Sequence, residues 1–202
     1  MSGGKSSRRS VLSQKQNKIV IALMGTLPGV GVTYSAISLG TYLSHYCHYR
    51  VALVEGNDNM HFSYIKRAAG VTREADYFSI GRVDFYPRAD EDIWLRLQRI
   101  SYDYVLVDYG VYEGDKQGQY ARCNYRFLIG SLCEWKRDAY EEIIRRESTD
   151  LEISFYLATL GQRYDIREFY REFDIRLYGI PCIYDPFLLV KEIIQFWRRL
   201  SI

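Results

Sequence analysis

From Lys18 onward, short apolar runs bounded by turn residues alternate with longer amphipathic stretches. A chain patterned this way has few architectures open to it. Runs that are apolar on both faces need cover from both sides, and the intervening amphipathic helices supply it. The spacing predicts strands over Ile19–Met24, Arg50–Val54, Arg82–Tyr86, Tyr104–Asp108, Tyr125–Ser131, Leu151–Leu157 and Ile175–Ile180. It predicts helices over Thr33–Tyr46, Asp58–Ala69, Asp90–Ile100, Glu134–Arg146, Ile166–Phe173 and Phe187–Leu200. Ser131 with Glu134, and Asp165 with Glu168, have the spacing at which a cap side chain and a carboxylate three residues on satisfy free backbone N–H groups reciprocally. The expected fold class is therefore α/β: a three-layer α-β-α domain with a mostly parallel central sheet over residues 18–202, with no internal repeat and no second domain boundary.

Composition narrows the function classes. The 202 residues are 48% hydrophobic and 26% charged, which excludes pervasive disorder, collagen and coiled coil. Lys and Arg number 27 against 25 Asp and Glu, so no global field argues for nucleic acid, and none is expected as a partner. Charge asymmetry is local: residues 1–17 carry Lys5, Arg8, Arg9 and Lys15 without an acid, and read as a flexible basic tail. No apolar run reaches membrane-spanning length and no signal peptide is evident, so a cytoplasmic protein is expected. Cys47, Cys123, Cys133 and Cys182 form no C-x-x-C pair and are read as reduced structural thiols.

The first strand runs into Gly25-Thr26-Leu27-Pro28-Gly29-Val30-Gly31-Val32-Thr33, and a helix follows. Glycines at a strand-to-helix turn let backbone N–H groups approach an anion, and the helix N-terminus adds a favourable dipole. This is where P-loop proteins hold phosphate. The stretch KIVIALMGTLPGVGVTYSAISLGTYLSHYCHYRVALVEGNDN resembles the N-terminus of the MinD/ParA class of P-loop ATPases, whose deviant Walker A loop reads K-G-G-x-G-K-T-T. Gly29, Gly31 and Thr33 match that pattern. Leu27 stands at the signature lysine, Pro28 at the first glycine, Val32 at the phosphate-reaching lysine and Tyr34 at the second threonine. Glu55 and Asn57 occupy the positions of two aspartates at the end of the next family strand, and Tyr102–Gly110, YDYVLVDYG, resembles the Walker B strand, with Asp108 at its end.

The resemblance implies a P-loop NTPase-like fold and a nucleotide site built from Gly29, Val30, Gly31, Val32, Thr33, Tyr34, Glu55 and Asp108. The departures imply that the site is weak or vestigial. A triphosphate brings several negative charges, and each lost charge-assisted contact forfeits about 1.5–3 kcal/mol. The expectation is a non-catalytic pseudo-ATPase, with no catalytic residues, acting as a binding, scaffolding or positioning component; among degenerate relatives the CpaE/TadZ-like localisation proteins of secretion and pilus assembly are the analogy. No cofactor is expected. The alternative is an active ATPase in which Thr33 and Asp108 handle magnesium, ATP is bound, and another basic residue, such as Lys5, Arg8, Arg9 or Lys66, replaces the lost lysines.

Other constellations point less far. His45, His48 and His61 lack a paired carboxylate ligand, and no metal site is expected. Asp90-Glu91-Asp92 reads as helix-start charge. The last helix places Val190, Ile193, Ile194, Trp197 and Leu200 on one stripe, which is read as docking on the sheet, with reversible membrane contact through residues 188–202 as the less favoured alternative. Tyr109, Tyr112, Tyr120 and Tyr125 suggest either an aromatic contact surface or half-buried edge residues. A protein partner is expected, and constitutive homodimerisation stays open.

Overall fold

The computed structural model describes residues 18–147 and 152–202. The basic tail and Leu151, the predicted start of the sixth strand, lie outside the described residues. The strands are β1 (Ile19–Gly25), β2 (Val51–Glu55), β3 (Phe78–Ile80), β4 (Val83–Tyr86), β5 (Tyr104–Val111), β6 (Tyr125–Ser131), β7 (Phe155–Thr159) and β8 (Leu177–Gly179). They form one sheet in the order β3-β4-β2-β5-β1-β6-β7-β8, parallel throughout except for the antiparallel β3–β4 pair. The α/β expectation holds, with helices on both faces.

The two faces follow from strand alternation. Ile21, Leu23, Leu53, Phe85, Leu106 and Ile129 face α1 (Val32–Thr41), α2 (His61–Ala68) and α7 (Lys191–Leu200). Ala22, Met24, Val54, Val105, Val107 and Leu128 face α3 (Glu91–Arg99), α5 (Glu134–Glu147) and α6 (Arg163–Phe173). Close packing of α5 depends on a glycine: a Cβ on Gly130 of β6 would lie inside the Tyr140 ring. The Tyr140 hydroxyl donates to the carbonyls of Leu128 and Leu157 at 3.2 and 2.9 Å, so α5 is pinned across β6 and β7.

The structure corrects several expectations. α1 gives way to a π-helical turn, Tyr42–Tyr46, and His48 lies beyond it at φ 64°, so His45 and His48 do not share a helix face. The three-residue β3 and the short helical segment Gly114–Tyr120 (a 3-10 turn leading into α4, Gln117–Tyr120) carry no periodicity long enough to read. The reciprocal cap of α6 sits three residues earlier than expected: Asp165 is the third helical residue, and its carboxylate accepts from Gln162 N–H at 2.6 Å. Ser131 ends β6 and its hydroxyl accepts from Cys133 N–H at 3.3 Å rather than capping with Glu134. Tyr109, Tyr112 and Tyr120 are buried in the core rather than forming a contact surface, because the chain after β5 folds back over that face; Tyr125 is half-buried. Cys182 is exposed, so not all four thiols are core residues.

The last helix docks. Ile193, Phe196, Trp197 and Leu200 are buried, and Trp197 Nε1–H donates to Ser38 Oγ of α1 at 3.0 Å. Its apolar stripe is thereby spent on the core. No helix among the described residues is long and apolar enough to cross a membrane.

Candidate functional site

β1 lies between β5 and β6, so the loop leaving it projects beyond the carboxyl ends of the strands, where open parallel sheets hold ligands. The loop is tethered on three sides. Thr26 N–H donates to Ile129 O at 2.9 Å, Tyr112 N–H to Gly25 O at 2.8 Å, and Thr159 Oγ1–H to Val30 O at 3.1 Å. Gly29 and Gly31 have φ of 71° and 96°, backbone that L side chains rarely adopt, and Gly31 is the left-handed cap from which α1 starts. The turn geometry of an anion cradle is therefore present.

Its side chains are not those of a charged cradle. Val30 and Val32 are 2% and 7% exposed, and their methyl groups fill the space beside Gly25. Leu27 packs on the same core. Of the predicted site residues, Val30 and Val32 thus present backbone only. Tyr34 lines a cavity of about 260 Å³ beside Gly29–Gly31, together with Thr159, Ile180, Pro181 and Ile183. Burial pushes the Tyr34 hydroxyl above its ordinary pKa, and the nearby Ile183 backbone opposes that.

A basic residue does reach the loop, from an element outside every motif. Lys136, in the first turn of α5, places Nζ 3.2 Å from the Gly29 carbonyl. Lys66 lines a separate cavity with Ser63, Glu74, Asp76 and Arg88. Lys5, Arg8 and Arg9 lie outside the described residues. Sequence reasoning missed Lys136 because nothing local in α5 marks it, and 107 residues separate it from its partner.

The second half of the site is polar and closed on itself. Glu55 and Asp108 are register partners across β2 and β5, 1% and 0% exposed. Asp108 is not at a strand end: β5 runs on to Val111 across a register shift opposite Leu23 and Gly25. Thr33 Oγ1–H donates to Asp108 Oδ2 at 2.6 Å, while Asn57 Nδ2 and Gly110 N–H donate to Oδ1 at 3.1 and 2.9 Å. Burial raises the Asp108 pKa, and the bonds from Thr33 and Gly110 and the nearby His61 oppose that. The Thr33 hydroxyl also meets His61 Nδ1 at 2.9 Å. Glu55 Oε1 accepts from His61 N–H at 2.6 Å, and its two oxygens lie 3.3 and 3.2 Å from Phe62 N–H, so this carboxylate caps α2, which has no cap side chain of its own. Burial pushes the Glu55 pKa up to about 7 against those bonds, with Asp108 adding to the rise.

The arrangement fits a magnesium nucleotide in part. Thr33 and Asp108 offer the hydroxyl and carboxylate oxygens that magnesium accepts alongside phosphates, and the backbone cradle and cavity suit a phosphate with a flat apolar group attached. When bound, the metal would neutralise phosphate charge. Among the described residues no group of three or more His, Cys, Asp or Glu is placed to hold a metal ion by itself.

Solved structures share this fold. A chain of the MinC:MinD cell division protein complex of Aquifex aeolicus matches with a TM-score of 0.68 at 18% identity, over 91% of this chain and 96% of that one. A plasmid partition protein of Borrelia burgdorferi bound to AMPPNP matches at 0.64 and 17%, over 91% and 96%. The ParA of pNOB8 bound to nonspecific DNA matches at 0.55 and 14%, over 85% and 81%. The chain has the MinD/ParA fold. No family model and no curated protein matches the sequence. The loop, Thr33, Glu55 and Asp108 lie together toward the carboxyl ends of β1, β2 and β5 in that fold.

Proposed function

We propose that this chain is a non-catalytic MinD/ParA-like pseudo-ATPase that acts as a binding, scaffolding or positioning component. One observation carries the reading. Val32 stands where the resembled loop has its phosphate-reaching lysine, and it is 7% exposed with its methyl group against Gly25. Phosphoryl transfer is catalysed almost wholly by positioning and by positive charge placed against the transferred group, and a valine supplies none. Asp108 and Glu55 are committed to the backbone of Gly110 and of α2, so each has a fold role that needs no turnover.

The surface around the loop supports a contact role. Trp135 is 77% exposed beside Lys136, and Leu160 and Tyr184 of the loop cavity are 61% and 92% exposed. Large apolar groups left in water at one end of a sheet mark a place for a protein partner. A second copy of this chain is one such partner; secretion and pilus assembly remain the analogy for the process. The docked α7 makes membrane contact through residues 188–202 the weaker reading.

The test is phosphate release from ATP with magnesium, measured against the Asp108→Ala variant as background. Release indistinguishable from background is the expected result. Magnesium-dependent release that Asp108→Ala abolishes would establish the active-ATPase alternative instead.

A further inference from the structure

We infer that Lys136 is the cation of this site, supplied to a phosphate-bearing ligand from α5 instead of from the loop. The inference rests on the reading of the loop as an anion cradle and goes beyond it by naming the group that compensates charge. Lys136 Nζ lies 3.2 Å from the Gly29 carbonyl and 3.7 Å from where a Gly29 Cβ would stand, so the ammonium sits at the lip of the cradle. No carboxylate among the described residues pairs with it. Its charge meets one carbonyl dipole, a contact weak enough in a half-buried setting to be exchanged for a ligand oxygen.

The position of Lys136 is built in. Tyr140, one turn further along α5, is buried and bonded to β6 and β7, and its ring fills the space over Gly130. The first turn of α5 is thereby held beside the loop. Within the loop the Thr26 hydroxyl is buried, 4% exposed, without a hydrogen-bond partner among the described residues. The neighbouring cavity, bounded by Tyr34, Ile180, Pro181 and Ile183, suits a flat and largely apolar group. The ligand class is a nucleoside di- or triphosphate. Lys136 enters at Gly29 and not at Val32, so it serves ground-state binding and leaves the transfer step without its lysine.

The test is calorimetric titration of ATP, ADP and pyrophosphate into the full chain, its Lys136→Met and Lys136→Arg variants, and a Lys66→Met control. The wild-type chain and the control should bind ADP and ATP more tightly than pyrophosphate. Lys136→Met should weaken all three by about tenfold to a hundredfold, the worth of one charge-assisted contact, and Lys136→Arg should restore most of it. Added salt should weaken the wild type more than Lys136→Met. Equal affinity of wild type and Lys136→Met, or no binding by the wild type, would overturn the assignment. Magnesium-dependent turnover would overturn the pseudo-ATPase reading while leaving Lys136 in place, so the two failures are separable.

Discussion

The two halves of the site have met opposite fates. On the loop side, positions where the resembled family carries charge hold Val32, buried in the core, and Leu27, half-buried against it. On the other side, Asp108, Asn57 and Glu55 stay polar and are bonded to backbone throughout. A lysine that only meets ligand charge leaves no gap in the apo fold when a valine packs in its place. A carboxylate that also satisfies the N–H groups of Gly110 or of α2 cannot be exchanged so freely. What remains polar here is what the backbone itself requires.

That contrast breaks if the polar half proves dispensable. Removing the Asp108 carboxylate, 0% exposed, strands the buried Gly110 N–H and takes one of two partners from the Asn57 amide and from the Thr33 hydroxyl. Asp108→Ala should cost about 3 kcal/mol, read from urea unfolding midpoints at pH 7. A loss below about 1 kcal/mol would mean that the carboxylate serves a ligand and not the fold.

Glu55 sharpens the same point through pH. Its pKa is raised to about 7 in the folded chain from 4.5, so the folded state holds the proton more tightly than the unfolded chain. Its contribution is greatest below pH 4.5 and is lost as pH rises toward 7, with little change beyond. Asp108, also raised by burial, acts in the same direction. Glu55→Gln removes the Glu55 part of that dependence. The stability of the variant relative to wild type should therefore improve by about 3 kcal/mol between pH 4.5 and 8 in a series of unfolding curves. A difference independent of pH would mean that the N–H bonds from α2 outweigh burial.

On the loop side the expected effects are smaller and concern binding. Val32→Lys must bring a charge out of a buried position, which long aliphatic stems allow, at a stability cost of about 1 kcal/mol. It should tighten ATP binding by about tenfold in calorimetry. No gain would show that the loop backbone, and not the missing lysine, limits the site.

Much of this fold was legible because burial on both faces writes long apolar runs: β1, β2, β5 and β6 lie within a residue or two of their expected limits, apart from the extension of β5 past Asp108. What escaped is what periodicity cannot encode. β3 is three residues long, and the burial of Tyr109, Tyr112 and Tyr120 depends on where the chain turns after β5. In the site, the glycine-rich turn after β1 came from local pattern, whereas Thr33, Glu55 and Asp108 came from the family resemblance. Lys136 was not, since its role arises only when α5 is laid across β6. The capping duty of Glu55 was hidden for a related reason: a strand carboxylate that caps a following helix across a turn has no fixed spacing.

The smallest effect concerns His61 and decides how the two halves meet. The Thr33 hydroxyl has one proton and two neighbours, Asp108 Oδ2 at 2.6 Å and His61 Nδ1 at 2.9 Å. The hydroxyl proton lies on the shorter contact, to Asp108 Oδ2, so Nδ1 must be the N–H donor toward Thr33. The neutral imidazole is then the Nδ1–H tautomer, with Nε2 left as an acceptor. Because His61 is exposed, His61→Ala should change stability by only about 0.5 kcal/mol. The nitrogen shifts of the ring at a pH where it is neutral report the tautomer directly. The Nε2–H form would instead turn the Thr33 proton toward His61 and leave Asp108 Oδ2 without its donor, joining the loop to the imidazole rather than to the carboxylate.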